Sequence, residues 1–139
     1  WREAQRDVRL PLAKFVTAAG ERRVSVDRGG LASHTLFRLL RAYPGFTLLE
    51  AELKTGRTHQ IRVHLQYLGF PIAGDDKYGD FTLNRALARQ GLKRMFLHAL
   101  AVEFAHPASG QALRVEAPLA PDLQAFLDRL QQPDDVAMA

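Results

Sequence analysis

Thr55-Gly56-Arg57-Thr58-His59-Gln60-Ile61-Arg62-Val63-His64 sets two cations, two histidines and a glutamine directly after a glycine. The stretch falls where a strand pattern gives way to a helical one. Polar side chains this dense at such a junction suit a site better than a core. Upstream, Thr35 to Ala42 and Phe46 to Leu53 are β-compatible runs joined by Tyr43-Pro44-Gly45, which predicts an antiparallel hairpin. Downstream, Gly56 ends the second strand and Thr58 is the expected N-cap of a helix running to Leu68. Ile61, Leu65 and Leu68, at i, i+4 and i+7, are its expected buried stripe. Gly69 is placed to end the helix, and Pro71 bars continuation. Arg62 then borders the apolar stripe, able to reach a cleft lined by the core.

The rest of the chain extends this α+β pattern. Val8 to Ala13 is a short run interrupted by Pro11, Arg22 to Asp27 alternates as a half-buried or edge strand, and Gly29-Gly30 is a turn. Residues 74–80 form a polar loop and 82–90 a short helix. Phe96 to Ala105 and Ala112 to Ala117 are a second hairpin around His106 to Gly110. Residues 121–131 form an amphipathic helix with Leu123, Phe126, Leu127 and Leu130 on one face, and 132–139 is expected to be a frayed tail. The sum is one domain, a mixed, mainly antiparallel sheet with flanking helices.

Composition sets limits. At 139 residues, 47% hydrophobic and 24% charged, the chain is long enough for one globular core. No apolar run approaches the length of a membrane span, and no membrane association is expected. The absence of cysteine removes thiolate metal sites and disulfides, which fits a reducing cytoplasm. Net charge is +4, with a pI near 9.8. Residues 1–67 carry twelve Lys/Arg against six Asp/Glu, and residues 68–139 carry seven against nine, so the half holding the Arg57–His64 stretch is the basic one. Either a solvated cationic face or a phosphate-tracking surface accounts for that imbalance.

His59, His64, His98 and His106 invite a metal reading, but the spacing opposes it. At roughly 100° per residue, helical positions i and i+5 point about 140° apart, so His59 and His64 do not share an ion. Asp75 and Asp76 read as a turn before they read as a magnesium site. No serine lies in a nucleophile-elbow context, and no phosphate loop is present. Arg57 and Arg62 remain. A cation at a helix entrance opposes the macrodipole unless an anion is near, and an arginine beside an apolar stripe wants a carboxylate. No sequence-local acid offers itself, so the partner of Arg62 is expected outside these residues.

Gly56-Arg57-Thr58-His59-Gln60-Ile61-Arg62-Val63-His64, followed by Gly69-x-Pro71-Ile72-x-Gly74-Asp75-x-x-Tyr78-Gly79, Leu97-His98-Ala99 and His106-Pro107, closely resembles the RluA family of pseudouridine synthases. Gly74-Asp75-Asp76-Lys77-Tyr78-Gly79-Asp80 and Phe96-Leu97-His98-Ala99 look most like its RluC-type, large-subunit ribosomal RNA members, and the resemblance runs from about residue 8 to 130. It implies isomerisation of uridine to pseudouridine in large-subunit ribosomal RNA, in the cytoplasm, by a flipped-base mechanism with no metal or organic cofactor. It also implies that Arg62 pairs with the family's catalytic aspartate, that Leu97 packs on the uracil and that Arg57 meets phosphate. Gly56, Thr58, His59, Gln60 and His64 become structural residues that position Arg62.

The family's His-Arg-Leu-Asp motif, which holds that aspartate, is absent from the sequence, as is the tyrosine that follows it. The chain is therefore expected to be the C-terminal part of a catalytic domain, incomplete at its N-terminal side, monomeric and inactive alone. Two alternatives stand beside it: a non-catalytic RNA-binding module on the same scaffold, and a His/Asp metal hydrolase.

Overall fold

The computed structural model describes residues 1–105 and 107–130, among them seven strands and three helices. Strand β1 (Gln5–Val8) pairs with β4 (Thr35–Tyr43), which pairs with β5 (Phe46–Leu53), giving a three-stranded sheet in the order β1-β4-β5. Strands β2 (Leu12–Val16) and β3 (Arg22–Val26) form a second sheet, and β6 (Ala101–Ala105) and β7 (Ala112–Glu116) a third. Every one of these pairings is antiparallel. The α+β class stands, with the single mixed sheet expected from the sequence resolved into three small antiparallel ones. The β4–β5 hairpin closes where expected, with Tyr43 opposite Phe46 and Gly45 at φ 77°. A bulge between Leu39 and Arg41 leaves Leu40 without a partner and half exposed.

Helix α1 (Gln60–Tyr67) follows β5 and departs from expectation at its start and on its faces. The N-cap is His59, in the left-handed region at φ 54°, and no side chain caps the helix; Thr58 lies outside it, exposed. Its buried residues are Gln60, Val63, His64 and Leu65, while Ile61 and Leu68 are only partly covered. The reason is that α1 packs on two sides. Leu65 joins Val8 and Phe37 from the three-stranded sheet, and Val63 joins Leu12, Val24 and Tyr78. One stripe cannot describe a helix wedged between two clusters. Its end is as expected: Gly69 N–H reaches the Gln66 carbonyl at 3.0 Å and Phe70 N–H the Leu65 carbonyl at 2.8 Å. With Gly69 at φ 91° this is a Schellman closure, which only glycine enters without strain.

Helix α2 (Phe81–Arg89) is capped by the Asp80 carboxylate, which accepts from Leu83 N–H. It packs through Leu87 against helix α3 (Pro121–Leu130), where Leu123, Phe126 and Leu127 are buried and Leu130 partly so. The strand expected from Phe96 begins only at Ala101. Before that point the backbone is already committed elsewhere: Phe96 N–H donates to the Ala73 carbonyl, and Arg94 binds the Leu97 carbonyl. The segment 92–97 thus straps the loop that follows α1. The expected tail at 132–139 and the role of His106 lie outside the described residues.

Candidate functional site

The loop before α1 is built around one side chain. Gln60 Oε1 accepts from the Thr55 hydroxyl at 2.7 Å and from Arg57 N–H at 3.0 Å. Its Nε2 donates to the His34 carbonyl at 3.0 Å and to Thr35 Oγ1 at 2.9 Å. A buried carboxamide with all four partners met holds the loop to β4, where an unmet one would cost about 1–3 kcal/mol. The chain of bonds continues inward: Thr35 Oγ1 lies 3.0 Å from His64 Nδ1, and His64 Nε2 lies 3.0 Å from the Leu10 carbonyl and 2.9 Å from Ser33 Oγ. A carbonyl only accepts, so Nε2 carries the proton and Nδ1 takes the Thr35 hydroxyl. Burial, reinforced by His34, pushes the His64 pKa down despite the opposing Leu10 carbonyl. His64 is therefore a neutral structural bridge between α1 and β4.

Arg62 sits two residues after Gln60 in α1. The structure gives it a partner within the chain. Arg62 Nε donates to Asp75 Oδ2 and Nη2 to Asp75 Oδ1, both at 2.8 Å. The Asp75 side chain is 1% exposed and that of Arg62 14%. Asp75 Oδ1 also takes the N–H groups of Lys77 at 2.9 Å and Tyr78 at 3.0 Å. Burial acts to raise the Asp75 pKa, but the Arg62 fork and these two N–H groups outweigh it and hold the carboxylate below its ordinary range. The same fork raises the pKa of Arg62. Asp76 Oδ1 stands 3.8 Å from Nη2, fully in solvent. Nη1 takes no part in the described bonds of this guanidinium.

Two residues that sequence reasoning left out of the site complete it. Tyr78 lies under Arg62, its ring centroid 5.0 Å from the guanidinium carbon. Its hydroxyl accepts Val24 N–H at 2.9 Å and lies 2.8 Å from His59 Nδ1. Burial, with the charges of Arg62 and Lys77, lowers the His59 pKa against a smaller pull from Asp75. The Tyr78–His59 bond accounts for His59 tolerating its left-handed backbone. Asn84 reaches back from α2, with Oδ1 accepting Gly74 N–H at 2.8 Å and Nδ2 donating to the Asp75 carbonyl at 2.7 Å. The Gly-Asp-x-x-Tyr-Gly spacing was the available signal for both Asp75 and Tyr78.

The other expected residues lie apart. Arg57 is exposed, and its Nε donates to the Ala32 carbonyl at 3.0 Å. Leu97 is half-buried, and no described contact joins it to Arg62. His98 Nε2 rests 3.1 Å from the Ala117 carbonyl. Among the described residues no three His, Cys, Asp or Glu side chains gather around a common point that suits a metal ion.

Comparison with known proteins agrees with the motifs. Residues 2–67 match the family described as RNA pseudouridylate synthase. The chain is 45% identical over 132 residues to ribosomal large subunit pseudouridine synthase C of Pasteurella multocida, across 95% of this chain and 40% of that protein. It is 45% identical over 133 residues to the protein of the same name from Escherichia coli K12, across 94% of this chain and 42% of that one. The Haemophilus ducreyi counterpart is 43% identical over 131 residues. The chain spans about two fifths of the length of these relatives. The RluC-type likeness covers α1, the Arg62–Asp75 pair and the strapping segment alike, and by it the chain resembles the RNA pseudouridylate synthase family.

Proposed function

We propose that this chain forms part of an enzyme that isomerises uridine to pseudouridine in RNA, with large-subunit ribosomal RNA as the substrate. The observation that carries the proposal is the buried Arg62–Asp75 fork at a strand-to-helix junction, set inside the signature residues. Large-subunit ribosomal RNA enters through the printed names of the relatives.

In this account residues 1–139 are one part of a single catalytic domain, and the catalytic aspartate comes from outside them. Asp75 and the Tyr78 ring fix the guanidinium plane, leaving Arg62 Nη1 to face that aspartate. A cation within about 4–6 Å of a carboxylate favours its ionised form at neutral pH. Arg57, exposed beside the entrance to α1, supplies a phosphate contact, and Leu97 an apolar contact to the base. The chain works as a monomer in the cytoplasm without metal or cofactor. No helix among the described residues is long and apolar enough to cross a membrane.

Tritium release from uridine labelled at C5 in ribosomal RNA tests the proposal, using the protein expressed with whatever residues its gene encodes on either side. Release supports it. RNA binding without release on any ribosomal RNA fraction would replace it with the non-catalytic RNA-binding module.

A further inference from the structure

Beside the Arg62–Asp75 pair, between the loop and α2, lies an open cleft of about 260 Å³. One wall is the backbone of Gly74 and the side of Asp76. The other is the face of α2 that carries Phe81, Arg85 and Ala88 at i, i+4 and i+7, and Lys93 also lines the cleft. The walls are fixed to each other, because Asn84 of α2 bonds both Gly74 N–H and the Asp75 carbonyl. Gly74 has no alternative here: at φ 82° its added Cβ would stand 2.2 Å from the Arg94 carbonyl oxygen.

Three features of this cleft are unused by the site described above. Phe81 is 50% exposed at its rim, and no ring contact is described for it. Arg85 has one described bond, to Thr82 Oγ1 at 3.4 Å. Among the described residues no carboxylate lies within ion-pair distance of Arg85 or Lys93. The one acid in the lining, Asp76, leans toward Arg62. An aromatic face with two unpaired cations is the combination that holds single-stranded nucleic acid, where the base stacks and phosphates meet the charges. The volume falls below the ~300–1,000 Å³ of pockets that enclose small ligands, which suits one unit of a polymer rather than a free metabolite.

We propose that this cleft is a subsite for one nucleotide flanking the uridine at Arg62, its base stacked on Phe81 and its neighbouring phosphates on Arg85 and Lys93. The proposal rests on the RNA reading above. Asp76 borders both places, so a strand passing from one to the other need only cross that residue.

Binding of a fluorescein-labelled single-stranded RNA to the protein expressed with its flanking encoded residues, followed by anisotropy over a range of KCl, tests it. Phe81→Ala and Phe81→Leu should each weaken binding about tenfold, as expected for one lost stack, while Phe81→Tyr retains it. Inorganic polyphosphate should bind the Phe81 variants and the parent equally. Arg85→Gln with Lys93→Gln should lower the slope of log affinity against log salt by about 1.4, at ~0.7 per phosphate. Arg89→Gln, on the same helix but outside the cleft, should leave the slope unchanged. Unaltered RNA affinity in the Phe81 variants, or an unaltered slope in the double variant, would overturn the subsite and leave the RNA reading standing. Absence of any RNA binding by the parent chain would overturn both.

Discussion

Asp75→Asn is the perturbation that bears hardest on the architecture of the site. The substitution preserves shape and removes a charge whose partner stays buried. In the parent, one carboxylate receives both arms of the Arg62 fork and two backbone N–H groups, with 1% of its side chain exposed. An amide keeps one acceptor oxygen for the backbone pair and turns an NH₂ toward a guanidinium that only donates. Breaking a buried pair from one side costs about 3–5 kcal/mol. Arg62 retains 14% exposure and the Tyr78 ring, so the low end, about 3 kcal/mol, applies. At about 3 °C per kcal/mol for a domain of this size, Tm should fall by roughly 10 °C. The assay is urea and thermal unfolding of the parent, Asp75→Asn, Asp75→Leu, Arg62→Leu and the double variant Arg62→Leu/Asp75→Leu. The double variant should be more stable than Asp75→Asn, since replacing both partners removes the stranded charge. A loss below about 1 kcal/mol for Asp75→Asn, or additive losses in the double variant, would refute the reasoning.

Other perturbations follow from the same geometry. Tyr78→Phe leaves Val24 N–H and His59 Nδ1 without their shared partner, and should cost about 1–3 kcal/mol in urea unfolding. Gly74→Ala forces a Cβ toward the Arg94 carbonyl at a positive φ, so it should loosen the strap and raise amide exchange at Phe96, whose N–H bonds Ala73. His59 and His64 both have depressed native pKa values. The unfolded chain therefore binds more protons below about pH 6.5, the ordinary imidazole value. Stability should be full above that pH and decline as pH falls toward the native values, by at most ~1.4 kcal/mol per unit for each histidine. His64→Gln should flatten part of that decline, as read from unfolding midpoints at several pH values.

Local chemistry was legible in the sequence, and long-range partnership was less so. Pro44-Gly45 between two β-compatible runs located the β4–β5 hairpin, and Gly69 before Pro71 located the end of α1, because both rest on backbone limits within a few residues. The Thr58 side chain suits the N-cap role, whereas tertiary bonds put the cap at His59. Gln60 staples the loop, and Tyr78, 19 residues on, holds His59 in its left-handed state. Sequence spacing hides Asp75 as a partner of Arg62 for the same reason: the two lie 13 residues apart and meet only because the Schellman turn folds the chain back along α1. Phe96 and Leu97 have strand composition but lie outside β6, with Phe96 N–H on the Ala73 carbonyl and the Leu97 carbonyl on Arg94, and only at Leu100, whose carbonyl accepts Ala117 N–H, does pairing toward β7 begin. The family motifs carried Asp75 and Tyr78 without showing what each touches.

The central claim is that Arg62, fixed by Asp75 and Tyr78, serves uridine isomerisation. Its most direct test is tritium release from C5-labelled ribosomal RNA by the protein expressed with its flanking encoded residues, compared with Arg62→Met and Arg62→Lys. Lysine keeps the charge but cannot make the two-armed bond, so both variants should lose at least about a hundredfold in rate, the scale of removing one oriented electrostatic contact. Bound RNA should still protect the variants from unfolding. Release by the parent with such losses is the predicted result, and full activity in Arg62→Met, or no release by the parent, would contradict the account.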